Sequence, residues 1–192
     1  TRLLQSRGLG DVYKRQTYGS HNVYLNDISP DGKKLLCSTS KPDITRCPFS
    51  LSSLFEIDLT TLQADTLVAW DAYLGSASYS PDGKQLLVTG SPSAFGGIGK
   101  NCGEHPIAND FDTQAFIMDL ATKKVQAITR DFNPTVSPVQ WNRVDGCIYF
   151  DTTDGDCRHI YRYVPKTGGF EMLPLEDFSY THLRAHETAA NL

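Results

Sequence analysis

The chain has 192 residues, with 18 Lys and Arg against 22 Asp and Glu and a net charge of −4. An acidic balance argues against nucleic acid or an anionic membrane surface as partner, and no apolar stretch approaches the roughly 20 residues that a membrane-spanning helix needs. The length suits a single core, since about 100–200 residues make one domain.

Positions 1–16 carry Arg2, Arg7, Lys14 and Arg15 against a lone acid, Asp11, and show no strand period. Positions 179–192 include Tyr180-Thr181-His182-Leu183-Arg184-Ala185-His186-Glu187-Thr188. Both segments resemble translated sequencing-adapter read-through. They are expected to be non-native tails and are set aside from fold reasoning. On that reading the parent protein is cut at both ends. Residues 17–178 then hold 13 basic against 20 acidic side chains, a balance of −7.

From residue 22 onward one unit recurs. It opens with Tyr24-Leu25-Asn26-Asp27-Ile28, turns through Ser29-Pro30-Asp31-Gly32-Lys33, and returns through Lys34 to Thr39. Proline presets the first central residue of a β-turn, and Asp and Gly tolerate the conformations that follow. A third strand, Leu54-Phe55-Glu56-Ile57-Asp58, and a fourth, Ala64 to Val68, close the unit. The second unit repeats the phrase as Tyr79-Ser80-Pro81-Asp82-Gly83-Lys84. Its strands are Ser76 to Tyr79, Gln85 to Gly90, Gln114 to Asp119 and Lys124 to Thr129. The third turns through Asn142-Arg143-Val144-Asp145-Gly146, with strands Pro138 to Trp141, Cys147 to Asp151, His159 to Val164 and Gly169 to Leu173. Val, Ile, Leu, Phe and Tyr dominate these runs, as half-buried strands prefer. No window shows a 3.6-residue apolar period, so little helix is expected.

A four-stranded unit recurring with tight turns at fixed places is the sequence pattern of propeller blades. The fold class is therefore all-β: a partial β-propeller of about three four-stranded antiparallel blades, at about 22–68, 76–129 and 138–173. Alternate turns of an up-and-down blade lie on opposite ends of the sheet. The long second-to-third connections, Ser40 to Ser53 and Ser91 to Thr113, therefore share one face, and long loops on a rigid scaffold carry binding. Arg46, Lys100, Glu104, His105, Asp110 and Asp112 on these loops are the candidate contacts for a peptide or a further domain. The competing reading of each is an ordinary solvated loop residue.

Other chemistry fails on spacing. The cysteines Cys37, Cys47, Cys102, Cys147 and Cys157 include no C-x-x-C pair, which argues against structural zinc. Cys37 and Cys147 fall in strands and are expected to be buried; a disulfide among the loop cysteines stays open. Asp151, Asp154 and Asp156 surround Gly155, but an EF-hand needs a Glu where Arg162 stands. Phe95-Gly96-Gly97-Ile98-Gly99-Lys100-Asn101 lacks the hydroxyl residue and following helix of a phosphate loop. His21, His105 and His159 stand alone, without a partner at catalytic spacing. No metal, cofactor or catalytic residue is expected, and Trp70 and Trp141 are read as core or inter-blade packing.

The Ser-Pro-Asp-Gly-Lys turn, with Ile117-Met118-Asp119-Leu120-Ala121-Thr122-Lys123-Lys124-Val125 on the outer hairpin, resembles PD40-type blades of TolB-like propellers. More narrowly it resembles the propeller of serine peptidases in the prolyl oligopeptidase and dipeptidyl peptidase group. Ser38-Thr39-Ser40-Lys41-Pro42-Asp43-Ile44 and the stretch Ile148 to Asp156 are similar to bacterial members. The resemblance implies an access filter over an α/β-hydrolase domain elsewhere in an exported parent, periplasmic or extracellular, acting on peptides. The chain has no Gly-x-Ser-x-Gly nucleophile elbow. It also lacks the paired glutamates that the dipeptidyl subgroup uses. The alternative from another class is a non-enzymatic TolB-like propeller that binds protein or glycan partners.

Overall fold

A computed structural model describes residues 21–102, 112–154 and 157–174, and the expected tails lie outside the described residues. Twelve strands follow in sequence among the described residues: β1 (Asn22–Ile28), β2 (Lys34–Pro42), β3 (Ser50–Asp58), β4 (Ala64–Asp71), β5 (Leu74–Tyr79), β6 (Gln85–Gly90), β7 (Gln114–Asp119), β8 (Val125–Ala127), β9 (Thr135–Trp141), β10 (Ile148–Asp154), β11 (Cys157–Val164) and β12 (Gly169–Met172). They form three four-stranded sheets ordered β1-β2-β3-β4, β5-β6-β7-β8 and β9-β10-β11-β12. Every pairing is antiparallel between sequence neighbours, so each sheet is an up-and-down blade. The fold is all-β, a partial propeller of three blades, as the repeated phrase predicts. Helix among the described residues is confined to α1, one turn at Ala94–Gly97 with non-helical angles at Phe95 and Gly96.

The first-to-second turns work as their residues dictate. Ser29 Oγ donates to Asp31 Oδ1 at 2.6 Å and accepts from the Lys34 amide at 2.9 Å, while the Gly32 amide donates to the Ser29 carbonyl at 2.8 Å. The second blade copies this through Ser80, Asp82, Gln85 and Gly83, with distances of 2.6, 2.9 and 2.9 Å. Gly32 and Gly83 sit at φ +70° and +69°, where a side chain would be strained. In the third blade Asp145 Oδ1 accepts from the Cys147 amide at 2.9 Å, and Gly146 takes the left-handed position at φ +70°.

Two apolar clusters hold the blades together. Leu36 and Leu54 of the first blade pack with Ala77, Tyr79, Leu86, Val88, Phe116 and Met118 of the second. Leu87, Ala115, Ile117 and Ile128 of the second pack with Val136, Ile148, Phe150 and Tyr163 of the third. Because side chains alternate across a strand, β6 and β7 feed both clusters at once. The two central strands of the middle blade are thus buried on both faces, which explains why β6 and β7 read as nearly continuous apolar runs.

Two expectations need correction. β2 and β3 pair as far as Pro42 and Ser50, so the first long connection is a compact hairpin tip at 43–49 rather than the whole stretch from Ser40 to Ser53. The added pairs are Ser40 with Ser52, Lys41 with Leu51 and Pro42 with Ser50, and pairing overrides the weak strand propensity of Lys41 and Pro42. Trp70 is not a core residue: it sits at φ +20°, with 37% of its surface exposed, near the outer end of β4. Trp141 is half-buried against the second cluster, in agreement with its packing role. Cys37 is a buried strand residue, as expected; Cys147 is buried too but sits in the turn one residue ahead of β10 rather than in a strand.

Candidate functional site

The end of the sheets that carries the β2–β3 and β6–β7 connections is built from three tethered pieces. The first is the hairpin tip of the first blade. The Asp43 amide donates to the Phe49 carbonyl at 2.8 Å and closes the tip. Asp43 Oδ1 accepts from the Thr45 hydroxyl at 2.5 Å and the Thr45 amide at 3.1 Å, and Oδ2 accepts from Arg46 Nε at 2.7 Å. The Thr45 hydroxyl, with Arg46 and the Thr45 amide behind it, holds the Asp43 carboxyl down at about 2. Ile44 and Phe49 project from this tip, 85% and 65% exposed.

The second piece is Trp70 and its neighbours. Lys41 Nζ stands 4.0 Å from the Trp70 ring centroid, and the His21 ring meets it edge-on at 5.6 Å. An ammonium over an indole face is attracted by the ring quadrupole. Next to it, Asp71 Oδ1 accepts from the Tyr73 amide and Oδ2 from the Phe95 amide, both at 2.8 Å. One carboxylate therefore joins the end of the first blade to the long β6–β7 segment of the second.

The third piece is that long segment. Its start is held by the Ser91 amide on the Tyr73 carbonyl at 3.0 Å, and by the Phe95 ring edge-on to Phe116 with centroids 5.2 Å apart. Gln114 Nε2 donates to the Gly99 carbonyl at 3.0 Å. Arg130 Nε donates to the Lys100 carbonyl at 3.1 Å, and the Thr135 hydroxyl donates to Asp112 Oδ1 at 3.0 Å. The segment is tied to the blade before it and to the strand after it.

Of the expected contacts, Arg46 is paired with Asp43, Lys100 offers its carbonyl to Arg130, and Asp112 accepts from Thr135. Each of these three is held by its own neighbour rather than by another of the three. Glu104, His105 and Asp110 lie outside the described residues. Sequence reasoning passed over Asp43, Lys41, Asp71 and Arg130. The Asx-turn spacing of Asp43 and Thr45 was a local signal for the first; the others meet partners 24 to 30 positions away and leave no local trace. Among the described residues, no group of three or more His, Cys, Asp and Glu is placed to hold a metal ion. The side chains presented are Arg46 paired with Asp43, Lys41 on the Trp70 ring, and the exposed Ile44 and Phe49.

No family model matches the sequence, and no curated protein matches it. Solved structures do. A TolB protein of Agrobacterium tumefaciens aligns with a TM-score of 0.58 at 15% identity, over 82% of this chain and 50% of that one. An oligogalacturonate lyase of Vibrio parahaemolyticus aligns at 0.59 and 16%, over 81% and 42%. The β-propeller domain of the Trilobed protease of Pyrococcus furiosus, which has an open velcro topology, aligns at 0.53 and 12%, over 80% and 43%. At such identities the likeness is one of fold, and the chain spans half or less of the length of these relatives.

Proposed function

We propose that this chain is the propeller portion of an exported serine peptidase of the prolyl oligopeptidase group, periplasmic or extracellular. Its role there is to filter peptides on their way to an α/β-hydrolase domain of the same parent. Its partners on this reading are the remaining propeller blades, the hydrolase domain and the peptide substrate. The observation that carries the proposal is the contrast between the two ends of the sheets. One end is closed by short Asp-Gly turns that bond to themselves. The other carries Arg46 and Lys41 on the first blade's hairpin, and Lys100, held by Arg130, on a segment that Asp71 tethers across blades. Long tethered segments at one end of a rigid scaffold are where residues that bind a ligand concentrate. The likeness to a protease propeller domain supports the reading at the level of fold.

A second reading is favoured by Trp70, a part-exposed indole beside Lys41. Such a ring suits stacking on a sugar or a protein side chain, as in a TolB-like propeller without catalytic activity. Reading the parent gene beyond this segment separates the two. A hydrolase domain with a Gly-x-Ser-x-Gly elbow supports the peptidase. A stop codon or an unrelated domain overturns it in favour of the binding protein.

A further inference from the structure

The three blades repeat one cross-strand row, and its side chains change from seam to seam. In the first blade the row is Asp27, Leu36, Glu56, Asp65. In the second it is Ser78, Leu87, Ile117, Gln126. In the third it is Gln140, Tyr149, Arg162, Glu171. The first row faces the second blade: Asp27 Oδ2 accepts from the Tyr79 amide at 2.8 Å, Glu56 Oε1 from the Tyr79 hydroxyl at 2.8 Å, and Asp65 Oδ2 takes Lys123 Nζ at 3.2 Å. The second row faces the third blade, with Leu87 and Ile117 inside the second apolar cluster. Strand alternation puts the third row on the opposite face from Ile148, Phe150 and Tyr163, which fill that cluster.

We propose that the row Gln140–Tyr149–Arg162–Glu171 is the docking surface for a further propeller blade of different sequence. That blade carries a carboxylate where the second blade carries Tyr79, and a basic side chain where it carries Lys123. The inference rests on reading the chain as part of a larger propeller. Three observations support it. Arg162 stands where Glu56 stands in the first seam, so the charge expected of its counterpart inverts. Arg162 bonds Glu171 through Nη2, and its Nε is buried without a hydrogen-bond partner. An open groove of about 510 Å³, lined by Gln140, Trp141, Asn142, Arg143 and Tyr149, lies at the inner end of the row. In the first seam that place is filled by the innermost strand of the next blade, whose amide is accepted by Asp27; the Gln140 amide oxygen is the matching acceptor.

The same comparison disfavours a second copy of this chain as occupant. A head-to-tail copy would bring Ile28, the counterpart of Tyr79, against Arg162, and Leu62, the counterpart of Lys123, against Glu171. Both are surface residues, 46% and 74% exposed. Covering a guanidinium and a carboxylate with alkyl groups leaves charge desolvated without compensation.

The chain itself supplies the probe. The variant Ile28→Glu with Leu62→Lys offers a neighbouring copy the carboxylate and ammonium that the row is expected to select. Sedimentation equilibrium should show self-association at least about tenfold tighter than the native chain. High salt should weaken it, and adding Arg162→Ile should remove it. A second variant, Arg162→Ile with Glu171→Gln, rebuilds the row of the second blade and should also tighten association, because Ile28 then meets an alkyl group. It decides the matter if the first variant does not fold. No gain from the folded variants would overturn the proposal. So would a native chain that already associates tightly and crosslinks between Ile28→Cys of one copy and Arg162→Cys of another. A parent gene without a hydrolase domain would leave these results untouched, so the two readings fail separately.

Discussion

The Tyr79 hydroxyl donates to Glu56 Oε1 at 2.8 Å across the seam between the first and second blades, and both residues are 5% exposed. Lys34 Nζ meets the other oxygen, Glu56 Oε2, at 2.9 Å. A carboxylate in such a place is tolerated because both its oxygens are occupied. Tyr79→Phe leaves one oxygen buried without its donor, and should cost about 1–3 kcal/mol in urea unfolding. Combining it with Glu56→Gln should show a coupling of about 0.5–3 kcal/mol, since the two act on one bond. Additive losses would mean that the hydrogen bond does not hold the seam.

The same pair sets an alkaline limit. Burial, then the hydrogen bond to Glu56, pushes the Tyr79 phenol above its ordinary 10.0, and burial raises Tyr163 in the same direction. The folded chain therefore holds these protons where the unfolded chain releases them, so stability falls as pH rises past about 10. Unfolding free energy measured across that range should drop in the native chain. In Tyr79→Phe the slope should be shallower.

The acid side works with the opposite sign. Thr45 and Arg46 hold Asp43 at about 2, and Ser29 and Ser80 lower Asp31 and Asp82 through their hydroxyls. Stability from these groups is complete above the ordinary carboxylate value and is lost as pH falls through the lowered ones. Side-chain carbon shifts followed by NMR should place the Asp43 midpoint near 2. Thr45→Ala should move it up further than Arg46→Ala does, because the hydroxyl bond is the larger cause.

Turn glycines should separate by their surroundings. A Cβ added at Gly32 would meet no atom within 4 Å, whereas one added at Gly83 would lie 3.3 Å from Pro30 Cδ of the neighbouring blade. Gly32→Ala should cost about 1–2 kcal/mol from the left-handed conformation alone. Gly83→Ala should cost more, because Pro30 must also give way. Equal losses in urea titrations would show that the two turns do not meet.

The long β6–β7 segment should depend on one amide. Gln114 Nε2 reaches the Gly99 carbonyl, and Gln114→Ala removes that tether without touching the clusters. Limited proteolysis should cut the segment near Gly99 faster in the variant, with the thermal midpoint little changed. Unchanged cleavage would assign the hold to Asp71 and Arg130 instead.

Much of this fold is legible in contiguous residues. Ser-Pro-Asp-Gly carries its own hydrogen-bond partners within a few positions, so Ser29 and Ser80 predict their turns before any strand is placed. Four-stranded units follow from the spacing of those turns, and the sharing of one end by the long connections follows from antiparallel order. The extent of β2 and β3 is not legible, because serine-rich ends become strand only when a partner supplies the ladder. Half of the candidate contacts, Arg46, Lys100 and Asp112, have described positions, and each is engaged by a neighbour that no motif names.

Local chemistry needs only neighbours along the chain, so the repeat, the tight turns and the all-β class stand on the amino-acid order alone. The seams do not. Glu56 reads as a surface acid until Tyr79, 23 positions away, is folded over it, and Phe95 reads as a loop residue until Asp71 accepts its amide. Which charges are buried, and which face of each blade waits for a neighbour, depends on groups brought together from separate blades, and distance along the chain conceals that pairing.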